Sequence, residues 1–118
     1  WEVDSAGTSG WHEGNLPDTR SIDVAKAHNI DITNQRSRQF KSIDFNKFDL
    51  ILAMDSSNYS NIMRLASSNE QKAKVHLILN FLYPNENRAV PDPYYEGGFE
   101  KVYQMLDRSC EKIVQKYI

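Results

Sequence analysis

Asp49-Leu50-Ile51-Leu52-Ala53-Met54-Asp55 is an uninterrupted apolar run closed by an acid at each end. A strand buried on both faces reads this way, whereas a strand with one wet face alternates apolar and polar residues. Val75-His76-Leu77-Ile78-Leu79-Asn80-Phe81 is a second such run and predicts another central strand. Between the two, Ser56-Ser57-Asn58 offers N-cap groups for a helix over roughly 58–66. Two buried strands joined through a helix predict parallel pairing.

Upstream, Phe45 and Phe48 anchor the approach to the first run, and the polar, basic stretch 33–42 belongs on the surface. Apolar residues Ile22, Val24, Ala25 and Ala27 group as on a helix over roughly 18–28, with Asn29 where it can end. Glycines 7, 10 and 14 with Pro17 mark a loop. Trp1-Glu2-Val3-Asp4-Ser5-Ala6 alternates as a half-buried strand does. Downstream, three of the four prolines make 83–95 a loop. Phe99, Val102, Leu106, Cys110, Ile113, Val114 and Tyr117 then fall at helical spacing, which predicts an amphipathic final helix with Cys110 as a core filler. The order strand, helix, strand, helix, strand, helix predicts an α/β fold, a three-layer sandwich with a short parallel sheet flanked by helices. In such sheets ligands sit beyond the carboxyl ends of the strands, so the loops after Ala6, Asp55 and Phe81 are expected to share one rim.

With 118 residues and 40% hydrophobic content the chain supports one core, and residues 1–118 are read as a single domain. It begins in mid-alternation without Met, so this domain is expected to be N-terminally incomplete. A net charge of −2, from 14 basic and 16 acidic residues, gives no footprint for nucleic acid. No apolar run reaches the ~20 residues of a membrane span, and a lone Cys110 forms no internal bridge, so a reducing, cytoplasmic setting is expected. His12, His28 and His76 lack ligand spacing, so no metal is expected.

Val90-Pro91-Asp92-Pro93-Tyr94-Tyr95 stands out because two prolines stiffen the backbone around one carboxyl group. Such an acid beside aromatic rings is suited to giving a proton to a departing phenolate, although Asp-Pro is also an ordinary turn signal. Trp11, Tyr94 and Tyr95 are either walls for a planar substrate or packing anchors. Asp55 closes a buried strand, where it either handles phosphate or metal or caps a neighbouring segment.

Asp4-Ser5-Ala6-Gly7-Thr8-Ser9-Gly10-Trp11, the block from Phe48 to Asn58, and Val90-Pro91-Asp92-Pro93-Tyr94-Tyr95 occur in the order and spacing that resemble low-molecular-weight protein tyrosine phosphatases. Phe99-Glu100-Lys101-Val102-Tyr103 resembles that family's final helix. The resemblance implies Asp92 as general acid and later base. It implies Trp11, Tyr94 and Tyr95 as flanks of the phenyl ring, and Ser5, Asp55 and Gln35 as supports of the phosphate-binding loop, Gln35 standing where many relatives have histidine. The implied substrate is a phosphotyrosine-containing protein or aryl phosphate, and no metal or organic cofactor is implied. The family's Cys-x5-Arg signature is absent from these 118 residues, so the family's first strand and first helix are expected to be missing and the chain alone inactive. Three alternatives stand beside this: a non-catalytic module binding anions or partners, an arsenate reductase, and a phosphoarginine phosphatase. A reductase needs further redox cysteines, and paired tyrosines suit an aromatic ester.

Overall fold

The computed structural model describes residues 1–9, 14–94 and 98–118, and the chain falls into two units, Trp1–Lys41 and Ser42–Ile118. In the first, helix α1 spans Thr19–Ala27. Asp18 caps it by accepting the Arg20 amide hydrogen at 2.9 Å, and the Arg20 guanidinium closes on the same carboxylate at 3.1 and 3.0 Å. The Arg20 side chain, then its backbone bond, hold the Asp18 carboxyl below the usual range. At the other end Asn29 takes φ 64°. Its N–H donates to the Lys26 carbonyl and that of Ile30 to Ala25, the paired bonds of a helix ending on a left-handed residue, for which Asn is suited.

The strand expected over residues 1–6 is not formed, and Trp1 and Val3 are 78% and 84% exposed. Alternation chooses faces, but a strand exists only through a ladder partner. Among the described residues only Gly7 finds one, bridging Gln39 through bonds of 2.8 Å to the Arg38 carbonyl and 2.7 Å from the Phe40 amide. Among the described residues the expected parallel sheet is present with two strands rather than three.

In the second unit, α2 (Asp44–Lys47) leads to β1 (Ile51–Ala53), α3 (Ser56–Leu65), α4 (Asn69–Lys72), β2 (Val75–Leu77), a 3-10 turn (Ile78–Phe81) and α5 (Gly98–Tyr117). Strands β1 and β2 pair parallel, Ile51 opposite Val75 and Ala53 opposite Leu77. Period-two alternation sends Leu50 and Leu52 to one face, where they pack on Ile78, Leu79 and Ile113 together with Met105 and Leu106 of α5. Ile51 and Ala53 are buried on the other face, and α3 packs on both strands. Phe45 is wholly buried, as its anchoring role predicts.

Three local expectations are corrected. The second apolar run is strand only through Leu77, because Ile78–Phe81 coils into the 3-10 turn; an apolar run reports burial without fixing conformation. Helix α3 starts at Ser56, two residues early, because Asp55 rather than 56–58 caps it. Cys110 is exposed, and the fully buried position of α5 is Ser109. The i, i+4 row from Met105 through Ser109 to Ile113 faces the core, and the Ser109 hydroxyl is satisfied by donating to the Met105 carbonyl at 2.7 Å. Partial burial of the sulfur, and then the Asp107 carboxylate, push the Cys110 thiol up. Alkylation by iodoacetamide, followed by mass spectrometry, is therefore expected to be slower than for free cysteine at pH 7, with the apparent pKa above the usual ~8.5. Labelling as fast as the free amino acid would contradict this environment.

Candidate active site at the carboxyl end of β1

The stiff acidic loop is tied to the sheet by one backbone bond. The Val90 N–H donates to the Met54 carbonyl at 2.8 Å, so the segment entering Pro91-Asp92-Pro93 leaves from the carboxyl end of β1, next to Asp55. Val90 and Tyr83 also rest on the Ile78, Leu79 and Ile113 cluster. Beyond Pro91, the Tyr94 N–H donates to Asp92 Oδ1 at 3.0 Å, a local turn that fixes the carboxylate's direction. Asp92 is exposed, and among the described residues nothing else bonds to its carboxylate. Among the described residues, Oδ2 makes no hydrogen bond.

Tyr94 is 65% exposed and meets the Phe99 ring edge-on, with centroids 5.8 Å apart at 89°. This contact holds one aromatic surface beside the acid. Asp55 Oδ1 accepts the Asn58 amide hydrogen at 2.7 Å, capping α3. In the second unit, Asp55 and the segment that enters the Asp92 loop at Val90 thus meet at the carboxyl end of β1. Ser5 and Gln35 belong to the first unit, both exposed. The Ser5 amide bonds Asp4, which pairs with Arg38 at 3.1 Å, and the Gln35 amide donates to the Ile32 carbonyl at 3.1 Å. Trp11 and Tyr95 lie outside the described residues. Among the described residues no His, Cys, Asp and Glu group has the makings of a metal site, and no helix is long and apolar enough to cross a membrane.

Sequence reasoning missed Gly98, which supports the loop from below. A Cβ there would overlap the Pro93 carbonyl oxygen and stand 2.8 Å from its carbon and 3.0 Å from its Cα. Ala improves helix propensity by up to ~1 kcal/mol, but a backbone neighbour does not swing aside, and overpacking costs about 1–3 kcal/mol. Gly98→Ala is therefore expected to destabilise by up to roughly 2 kcal/mol in urea unfolding, the larger overpacking cost less the propensity gain. A stabilised variant would show that Pro93 does not press on this position.

Residues 1–117 match the family described as low molecular weight phosphotyrosine protein phosphatase. A relative of that description from Schizosaccharomyces pombe is 43% identical over 110 residues, 91% of this chain and 69% of its own length. Among solved structures, a protein tyrosine phosphatase from Entamoeba histolytica is 36% identical with a TM-score of 0.87, covering 96% of this chain and 71% of that one. A Drosophila arginine phosphatase is 34% identical with a TM-score of 0.88, covering 99% and 77%.

Proposed function

The chain belongs to the low molecular weight phosphotyrosine protein phosphatase family, and we propose from that premise that it hydrolyses phosphotyrosine with Asp92 as proton donor. The observation that supports this reading is the Val90 to Met54 bond, which ties the backbone two residues before Asp92 to the carboxyl end of β1, where sheets of this kind take ligands. A thiolate attacks phosphorus as the bond from phosphorus to the phenolic oxygen breaks, and Asp92 passes its proton to that oxygen. Asp92, now ionised, takes a proton from water as the water attacks phosphorus, and the thiolate leaves with phosphate released.

The thiolate is not Cys110, whose pKa is raised on α5 and which has Lys116, not Arg, six residues on. In this reading it belongs to a Cys-x5-Arg loop that the 118 residues do not contain, so the chain alone releases no phosphate above background. Asp55, at the carboxyl end of β1, braces that loop. Tyr94, beside the acid in the second unit, offers a wall for the phenyl ring. The catalytic thiolate requires a reducing compartment, which the cytoplasm provides. Residues 1–118 act as parts of one phosphatase domain.

Likeness to a Drosophila arginine phosphatase supports a second reading, phosphoarginine hydrolysis. An exposed tyrosine ring beside the acid favours the aromatic ester. For the protein carrying its Cys-x5-Arg loop, kcat/KM on a phosphotyrosine peptide is expected to exceed that on the matching phosphoarginine peptide at least about tenfold, the equivalent of one well-made aromatic contact. The reverse preference would overturn the tyrosine assignment.

A further inference from the structure

We propose that Asn80 is a positioning residue for the general acid, an inference that rests on the proposed role of Asp92. Asn80 sits in the 3-10 turn directly after Leu79, which is wholly buried. Its carboxamide bonds Asn87 with both ends: Nδ2 donates to Asn87 Oδ1 at 3.0 Å, and Oδ1 accepts the Asn87 backbone N–H at 2.9 Å. Asn87 takes φ 53°, a left-handed conformation that Asn tolerates better than most residues. Three residues on, Val90 bonds Met54, and two residues after that comes Asp92.

The excursion from Leu82 to Val90 is thus pinned at two points in its second half, Asn87 and Val90. One pin is the Val90 amide on the carboxyl end of β1, and the other is the two-bonded clamp of Asn80. Arg88 reinforces the span, lying over the Tyr83 ring at 4.1 Å and pairing with Glu86 at 2.8 Å. Cutting the Asn80 clamp leaves Val90 as the nearer tether and lets the peptide before Pro91 swing about it. A proton donor tolerates little swing, because transfer requires heavy atoms at about 2.6–3.2 Å. Substrate binding does not share that demand, so the clamp acts on proton delivery.

The test is a cycle in the protein with its Cys-x5-Arg loop present, reading kcat/KM on phenyl phosphate and on p-nitrophenyl phosphate. Asn80→Ala is expected to lower kcat/KM on phenyl phosphate about tenfold, a loss within the usual worth of a positioned proton donor. It is expected to change the nitrophenyl ester less than about twofold, since that leaving group needs little help. In an Asp92→Asn background the same substitution is expected to change neither. Asn80→Asp keeps the acceptor for the Asn87 amide and is expected to recover part of the loss, which guards against reading a folding defect as a positioning effect. An equal loss on both esters, a loss that persists beside Asp92→Asn, or no loss at all would overturn the clamp. If Asp92→Asn itself spares the phenyl ester, the acid assignment fails and the clamp's role fails with it; the single variant alone reveals that case.

Discussion

Asp92→Asn is expected to lower steady-state kcat about 10²–10⁴-fold, the usual worth of a positioned proton-transfer group. The carboxamide still presents an oxygen to the Tyr94 N–H, the one hydrogen bond Asp92 makes among the described residues. The substitution therefore removes an ionisable proton and leaves the loop's conformation in place. Hydrolysis of the phosphoenzyme is common to every substrate and needs the same group as base. With p-nitrophenyl phosphate, whose leaving group departs unaided, the variant is expected to release one equivalent of phenol quickly and then stall. Rapid-mix absorbance measures both phases, and an unaltered steady state would remove Asp92 from the chemistry.

Leu79→Ala is expected to destabilise the protein by 2–5 kcal/mol, the range for deleting a buried leucine side chain. Leu79 is wholly buried. Around it and its neighbours Ile78 and Ile113 pack Leu52 of β1 and Leu50 just before it, Met105 and Leu106 of α5, and Tyr83 and Val90 of the acid-bearing loop. Packing on several sides puts the cost in the upper part of that range. Typical domains are stable by about 5–15 kcal/mol, so this one change removes a large share. Urea unfolding should show a lower midpoint with an unchanged slope, and a shift worth under ~1 kcal/mol would show that the cluster is not the core.

The sequence revealed the parallel pair, because doubly buried strands leave continuous apolar runs, and it made Asp92 a candidate, because two prolines around an acid are conspicuous. It also marked the end of α1 through Asn29. The first segment misled because Trp1 through Ala6 has a strand's alternation without a described partner, and alternation carries no information about pairing. Cys110 misled because two adjacent helical positions fit one stripe almost equally well, and the choice of Ser109 depends on a hydroxyl bonding back to Met105. Gly98 and the Asn80 clamp were invisible for a different reason. Each works through a residue distant by several positions in an irregular loop, where no periodicity exists to read.

The most direct test of the account is the leaving-group dependence of kcat/KM, measured on aryl phosphates from acidic nitrophenols to tyrosine itself, whose hydroxyl has a pKa of about 10. With Asp92 in place the rates are expected to vary little along the series, and with Asp92→Asn they are expected to fall steeply as the phenol becomes more basic. Parallel lines for the two proteins would contradict the proposal that this carboxyl group, held at the carboxyl end of β1, protonates the departing oxygen.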